Sequence, residues 1–190
     1  MLRKKKPKVP SPTLTIMKAE PRHVVGLDPS MTSFGFAELN TVSDGRIKTQ
    51  AFITEPADGS DMQRIRTQYA RVIAALDSVD GLSMAAIEGY GPLGRTAGKI
   101  TQRAELIGMI KLRVLDYYRV PLVIVGPQQL KKYATGNAKA KKDEVMQNCA
   151  REGHIAQVSD EADAYFLAKF ARLVYTGART SGISYETIKP

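Results

Sequence analysis

The first fifty patterned positions alternate short apolar runs with turn residues. Val24-Val25-Gly26-Leu27-Asp28 is an apolar run ending in an acid and followed by Pro29-Ser30. It reads as a buried strand with Asp28 at its carboxyl end. Phe34 to Leu39 alternates and reads as a second strand, and Ile47 to Thr54 as a third. Their connections are short, and Ser43-Asp44-Gly45 is a hairpin signal, so the three are expected to be antiparallel. The period then changes. Ile65, Tyr69, Val72, Ile73 and Leu76 fall at helical spacing within residues 60–79, which gives one apolar helix face. Met84 to Glu88 is a fourth strand that again ends in an acid, followed by a glycine-rich turn and a long helix from Ala97 to Tyr118. Val120 to Val125 is a fifth strand, closed by Gly126-Pro127. A helical turn over 128–134, a loop at Thr135-Gly136-Asn137 and a helix over 142–152 come next. The last helix runs from Asp160 to Tyr175, with Ala164, Leu167, Ala168, Ala171 and Leu173-Val174 inward. A hairpin meander followed by crossovers predicts an α/β fold: one mixed five-stranded sheet, its first three strands antiparallel, flanked by helices.

Composition narrows the setting. The chain has 190 residues, 43% of them hydrophobic, and one cysteine, Cys149. It can fold without a disulfide staple. The pattern predicts a basic arm over 1–22, expected to be disordered, one domain over 23–176 and a C-terminal tail over 177–190. No apolar run reaches the roughly 18 residues of a membrane span. Arg3-Lys4-Lys5-Lys6 is followed by no apolar stretch of the secretory kind. A cytoplasmic protein with no membrane partner is therefore expected.

The net charge of +9 is unevenly placed. Residues 1–22 hold seven Lys/Arg against one Glu, and residues 89–142 hold eleven against two acids. Residues 23–88 and 143–190 are net acidic. A basic block inside the patterned chain is the electrostatic footprint of a polyanion. Carboxylates interleaved with such a surface call for a divalent cation between them and the phosphates.

The candidate carboxylates stand out by position. Asp28 and Glu88 end two strands, and ligands of such sheets bind outside the carboxyl ends of the strands. Asp160 and Asp163, three apart at the start of the last helix, point the same way. Together they form a set of oxygen ligands suited to hard cations. Two such cations can clamp the attacking and leaving oxygens of a phosphodiester. Each acid also has a plainer reading. Asp160 and Asp163 suit the positive end of a helix dipole, and Asp28 suits a turn before proline.

These residues resemble the RuvC-type Holliday-junction resolvases of the RNase H-like superfamily. The resemblance spans about residues 23–176. It rests on Val24 to Ser30 with Thr32 and Phe34-Gly35, on Ala86-Ile87-Glu88, on Lys131 to Gly136 running to Lys141-Lys142-Asp143-Glu144-Val145, and on Asp160 to Ala164. Tyr90 and Ala134-Thr135-Gly136 look more like phage-encoded members. The resemblance implies an RNase H-like sheet and a homodimeric, Mg²⁺-dependent endonuclease acting on branched DNA, the four-way junction, in recombination or repair. It implies that Asp28, Glu88, Asp160 and Asp163 hold two Mg²⁺, with Mn²⁺ able to substitute. It also places Lys131 and Lys142 near the scissile phosphate, with Lys132 and Lys141 as the neighbouring alternatives. Lys142 is expected to stabilise charge on the reacting phosphate. Tyr90, Arg95, Lys99, Arg103, Lys131, Lys132, Lys139 and Lys141 are expected to contact DNA. The chain departs from the family where an aromatic three residues beyond the second acid would fall on Gly91. The apolar side of the long helix (Ile100, Ala104, Ile107, Ile110, Val114) is the expected dimer contact. A broader flap nuclease of the same fold and a non-catalytic DNA-binding module are the competing readings.

Other motifs carry less. Gly89-Tyr90-Gly91-Pro92-Leu93-Gly94 spells a dinucleotide fingerprint, but the next strand ends in Gly126-Pro127 rather than an acid. Gly94 to Lys99 is one residue short of a P-loop. His23 and His154 read as structural, Cys149 as a buried small residue, and Tyr117-Tyr118 as a core or dimer contact.

Overall fold

The computed structural model describes residues 23–40, 46–90, 97–180 and 182–190, without the side chains of Asp58 and residues 97–100. The basic arm, the Ser43-Asp44-Gly45 turn, residues 91–96 with Arg95, and the Lys99 side chain lie outside the described residues.

Six strands form one mixed sheet: β1 (His23–Asp28), β2 (Ser33–Asn40), β3 (Ile47–Ile53), β4 (Leu82–Glu88), β5 (Leu122–Val125) and β6 (Tyr185–Ile188). Their order is β3-β2-β1-β4-β5-β6. β1, β4 and β5 run parallel, and β2, β3 and β6 run against their neighbours. The first three strands are antiparallel as expected. The sheet has six strands rather than five, because residues 185–188 of the expected tail pair with β5. Only four residues long and largely exposed, β6 shows no inward apolar side in sequence.

The helices are α1 (Asp61–Asp77), α2 (Ala97–Leu112), α3 (Pro127–Thr135), α4 (Lys142–Arg151) and α5 (Ser159–Tyr175). Ser60 caps α1 in a reciprocal capping box with Gln63. The expected helix to Tyr118 stops at Leu112 and widens into a π turn over Arg113–Tyr117. Gly136, at φ +80°, closes α3.

Strand parity decides what faces what. Val25, Leu27, Ala85 and Ile87 point into one apolar layer with Ile65, Val72 and Leu76 of α1 and Leu106, Ile107 and Ile110 of α2. Val24, Met84 and Ala86 point into the other, against Leu130 of α3, Val145 and Cys149 of α4, and Ala164, Phe166, Leu167 and Phe170 of α5. Two residues on from Gly26 and Ala86, the alternation puts Asp28 and Glu88 on the α5 side.

The packing of α5 depends on two glycines. A Cβ on Gly26 would lie 2.0 Å from the Ala164 carbonyl oxygen, and one on Gly35 would lie 1.9 Å from that of Asp160. Any side chain at either position would push the helix off the sheet, and its acids with it.

Ile107, Ile110 and Val114 are fully buried within the chain. The expected use of this side of α2 as a dimer contact is therefore corrected for these three residues, which fill the chain's own core; Ala104 is half-buried, and the Ile100 side chain lies outside the described residues. Among the described residues, the large apolar side chains left outside on this segment are Met109, Leu112 and Tyr117.

Candidate metal centre

At the carboxyl ends of the parallel strands a cavity of about 410 Å³ opens. Among its walls are Asp28, Glu88, Arg103, Lys131, Lys142, Asp160, Asp163 and the turn from Pro29 to Thr32. Leu27 pairs with Ile87 across β1 and β4, so the next residue of each strand, Asp28 and Glu88, stand side by side. Asp163 comes in from the first turns of α5. One carboxylate oxygen from each of the three lies within 4.8 Å of the others. Asp28 is 5% exposed.

Like charges this close and this dry raise one another's proton affinity. Asp28 is held well above the usual carboxylate range, first by burial and then by Glu88 and Asp163. Asp163 is pushed up to about 7, by burial and then Glu88, against the opposing pull of Lys142. The cluster carries more negative charge than its surroundings neutralise. Hard oxygen donors in that state fit a divalent cation.

Asp160 stands apart from the trio. Its Oδ1 lies 3.4 Å from Lys142 Nζ, which also donates to Ser159 Oγ at 3.1 Å. Glu161, between the two aspartates in sequence, is buried and serves the chain instead: its Oε2 accepts the Gln157 N–H at 2.8 Å. Of the acidic run that opens α5, the structure thus brings Asp163 to the cluster, leaves Asp160 on the cavity wall and uses Glu161 before the helix.

Among solved structures, the fold matches Thermus thermophilus RuvC in complex with a Holliday junction substrate, at 21% identity and TM-score 0.65, over 82% of this chain and 94% of that one. It matches a second Thermus thermophilus RuvC structure at 23% identity and TM-score 0.59, over 82% and 97%. It also matches the yeast mitochondrial Holliday junction resolvase Ydc2 at 9% identity and TM-score 0.52, over 85% and 83%. No protein-family model matches the sequence, and no curated protein matches it. The chain has the RuvC fold. That is an RNase H-like α/β sheet, and the acids sit at its open end.

Within this RuvC fold the basic residues separate. Lys131 and Lys142 line the cavity. Lys132 turns away and donates to the Gly182 carbonyl at 3.3 Å. Lys141 precedes α4, its backbone N–H donating to Glu144 Oε1 at 2.9 Å. Lys139 lies exposed on the loop before it. Of the neighbouring lysines, Lys131 and Lys142 are the two that line the cavity with the acids. Tyr90 is 51% exposed and lies off the cavity, with Lys111 Nζ 5.4 Å from its ring centroid. Arg103 is at the cavity, but its guanidinium is engaged within the chain: Nε donates to the Pro29 carbonyl at 2.6 Å, and the terminal nitrogen is 3.4 Å from Glu88 Oε1.

Neither histidine is near the acids. His23 bonds the Asp80 carbonyl and sits 3.4 Å from Glu38, and His154 stacks on Tyr165. Cys149 is fully buried. Tyr117 and Tyr118 meet edge to face beside Arg113. Ser30 and Thr32, whose hydroxyl oxygens are 3.2 Å apart in the cavity wall, belong to the motif that carries the resemblance but were given no site role by sequence reasoning. The signal was their place in the turn directly after Asp28. Among the described residues no helix is long and apolar enough to cross a membrane.

Proposed function

We propose that this chain is a divalent-metal-dependent, structure-selective DNA endonuclease that resolves four-way junctions by paired nicks. One observation carries the reading: three carboxylates from two strands and a helix converge within 4.8 Å on a cavity whose other charged walls include Lys131 and Lys142. The fold shared with a RuvC solved on a Holliday junction substrate supports the choice of DNA.

Asp28, Glu88 and Asp163 would hold a Mg²⁺ or Mn²⁺ ion, with Asp160 available to complete the set for a second. Bound there, such ions supply an activated water and charge stabilisation at the leaving oxygen. The chain's own groups do the rest. Lys142, 65% exposed at its side chain, offers its ammonium to the non-bridging oxygens of the phosphate in place of the Asp160 contact. Lys131 sits across the same cavity. Lys139 and Lys141, on the exposed loop leading to α4, meet flanking backbone phosphates. Contacts of this kind position a duplex without reading its sequence, so selection rests on the shape of the junction. A junction with two equivalent strands to cut suits a symmetric dimer, for which Met109, Leu112 and Tyr117 are the exposed apolar surface on the α2 side.

Incubation of the protein with a labelled four-way junction, a flap and a linear duplex, in Mg²⁺ and in EDTA, tests this. Paired, metal-dependent nicks confined to the junction are the expected result. Cutting of the flap as well would widen the substrate class. Binding without cutting in either Mg²⁺ or Mn²⁺ would sink the nuclease reading.

A further inference from the structure

The turn that carries Asp28 into the cavity is gripped by two arginines from the opposite layer. Arg64 of α1, 9% exposed, donates to the Met31 carbonyl at 3.0 Å. The Thr54 hydroxyl donates to the same carbonyl. Arg103 of α2 donates from Nε to the Pro29 carbonyl, one residue after Asp28, and reaches Glu88 with its terminal nitrogen. α2 packs on the sheet face away from the acids. Arg103 therefore passes the sheet's open end to tie the chain just after Asp28 to the carboxylate of Glu88.

We infer that Arg103 is a positioning residue for the metal centre, fixing the Asp28 turn and the Glu88 carboxylate relative to each other, rather than a phosphate contact. Two features favour this use. The side chain is only 27% exposed, whereas a lysine or arginine that grips backbone phosphate is free to extend. And the guanidinium is planar with donors on more than one edge, which lets one side chain hold a carbonyl and a carboxylate at once. An ammonium has the charge without that fork. Arg64 does the mechanical part alone, since it meets no acid of the cluster. The inference rests on the metal-dependent reading above.

Charge and geometry act in opposite directions here, and that makes the role testable. As a positive charge beside the site, Arg103 weakens cation binding; as an orienting group, it strengthens it. Outer partners of metal ligands are worth about 10–100-fold in metal affinity. The experiment titrates Mn²⁺ alone into the full chain by calorimetry, for wild type, Arg103→Lys and Arg103→Gln. Junction affinity in EDTA and a thermal melt are measured on each. The expected result is Mn²⁺ affinity about tenfold or more weaker in both variants, with junction affinity in EDTA unchanged within about twofold. Should Arg103→Lys fail the melt, Arg103→Gln decides. Unchanged Mn²⁺ affinity with weakened junction binding would make Arg103 a phosphate contact and overturn the inference. Tighter Mn²⁺ binding by Arg103→Gln would make its effect purely one of charge, and overturn it too. Failure of the wild type to bind Mn²⁺ would instead strike the proposed function itself, and this inference with it.

Discussion

Asp28 and Gly35 face one another across the β1–β2 ladder, and the missing side chain of the second is what gives the first its neighbours. The Asp160 carbonyl oxygen fills the place where a Gly35 Cβ would stand, at 1.9 Å. The start of α5 can therefore lie directly on the strand pair, and Asp163, one turn further on, reaches Asp28. Gly35→Ala must displace that turn of helix. Overpacking of this kind costs about 1–3 kcal/mol, and the displacement separates the carboxylates as well. The variant is expected to melt lower and to lose cleavage out of proportion to its stability. Gly108 is the contrast. It lies inside α2, and a Cβ there meets nothing within 4 Å. Gly108→Ala is expected to gain about 0.5–1 kcal/mol and to keep its activity. Melts and junction cleavage on the two variants check both statements.

Removal of one proposed ligand separates binding from chemistry. Asp28→Asn keeps the shape of the side chain and removes one carboxylate from a close cluster of three. Cleavage is expected to fall by more than about 100-fold, the upper end of the cost of losing even an outer partner of a metal ligand. Junction affinity is expected to hold or to tighten, because one negative charge facing the phosphates has gone. Gel-shift and cleavage assays on the same junction measure the two. Retained cleavage would mean that Asp28 is only a turn residue before Pro29.

Much of this centre was legible in the sequence. Asp28 and Glu88 each close an apolar run of strand length, and strand parity follows directly from such a pattern. Asp160 and Asp163 share a face by their spacing alone. What could not be read was which of neighbouring groups each contact uses. Glu161 is as acidic as its neighbours, and only the fold turns it to the Gln157 N–H. The apolar stripe of α2 looks the same in sequence whether it meets a partner or the chain's own sheet. The sheet claims it, because a helix covering a strand layer needs that stripe for its own core. Arg103 reads as one basic residue in a basic block. Its partner carbonyl is 74 positions away in sequence, and no local pattern announces such a bond. The glycines at 26 and 35 were visible as residues, but the close approach of α5 that requires them was not.

On the proposed reading, Lys142 acts on substrate rather than holding the fold. It is well exposed, and its ammonium meets Ser159 and Asp160 at the cavity wall. An ion pair whose cation stays this open to water contributes little to stability. Lys142→Ala is therefore expected to melt within about a degree or two of wild type, in line with a ΔΔG below about 1 kcal/mol. Its cleavage is expected to fall by about 100-fold, the size of losing one group that stabilises developing charge. Lys132→Ala is the control. That lysine bonds the Gly182 carbonyl away from the cavity and is expected to leave the cleavage step unchanged. Single-turnover cleavage, which isolates the chemical step from binding, distinguishes the pair.

The crowding of carboxylates also fixes the sign of their own contribution to a pH effect on stability. Asp28 is raised well above its ordinary value and Asp163 is raised from 3.8 to about 7, each chiefly by burial and then by neighbouring acids. A carboxyl with a higher pKa in the folded than in the unfolded chain binds its proton more tightly when folded. Its contribution is therefore largest below about pH 4 and is lost as the pH rises through about 7, at about 1.4 kcal/mol for each tenfold difference in proton affinity between the folded and unfolded chain. The metal-free protein is expected to melt several degrees lower at about pH 8 than at about pH 5. Millimolar Mg²⁺ should recover the loss at the higher pH, since a cation that binds only the folded site adds about 2.7 kcal/mol at a hundred times its Kd. Its gain should be small at the lower pH, where protons compete for the same oxygens. Asp163→Asn removes one of the two raised groups and is expected to flatten the pH dependence while blunting the response to Mg²⁺. Melting curves of both proteins at the two pH values, with and without Mg²⁺, test this. Burial also holds His154 below its ordinary value, an opposing contribution that is the same in both proteins and cancels in their comparison. A pH dependence left unchanged by Asp163→Asn would show that the carboxylates are already neutralised within the chain, which would remove the reason for a cation at their centre.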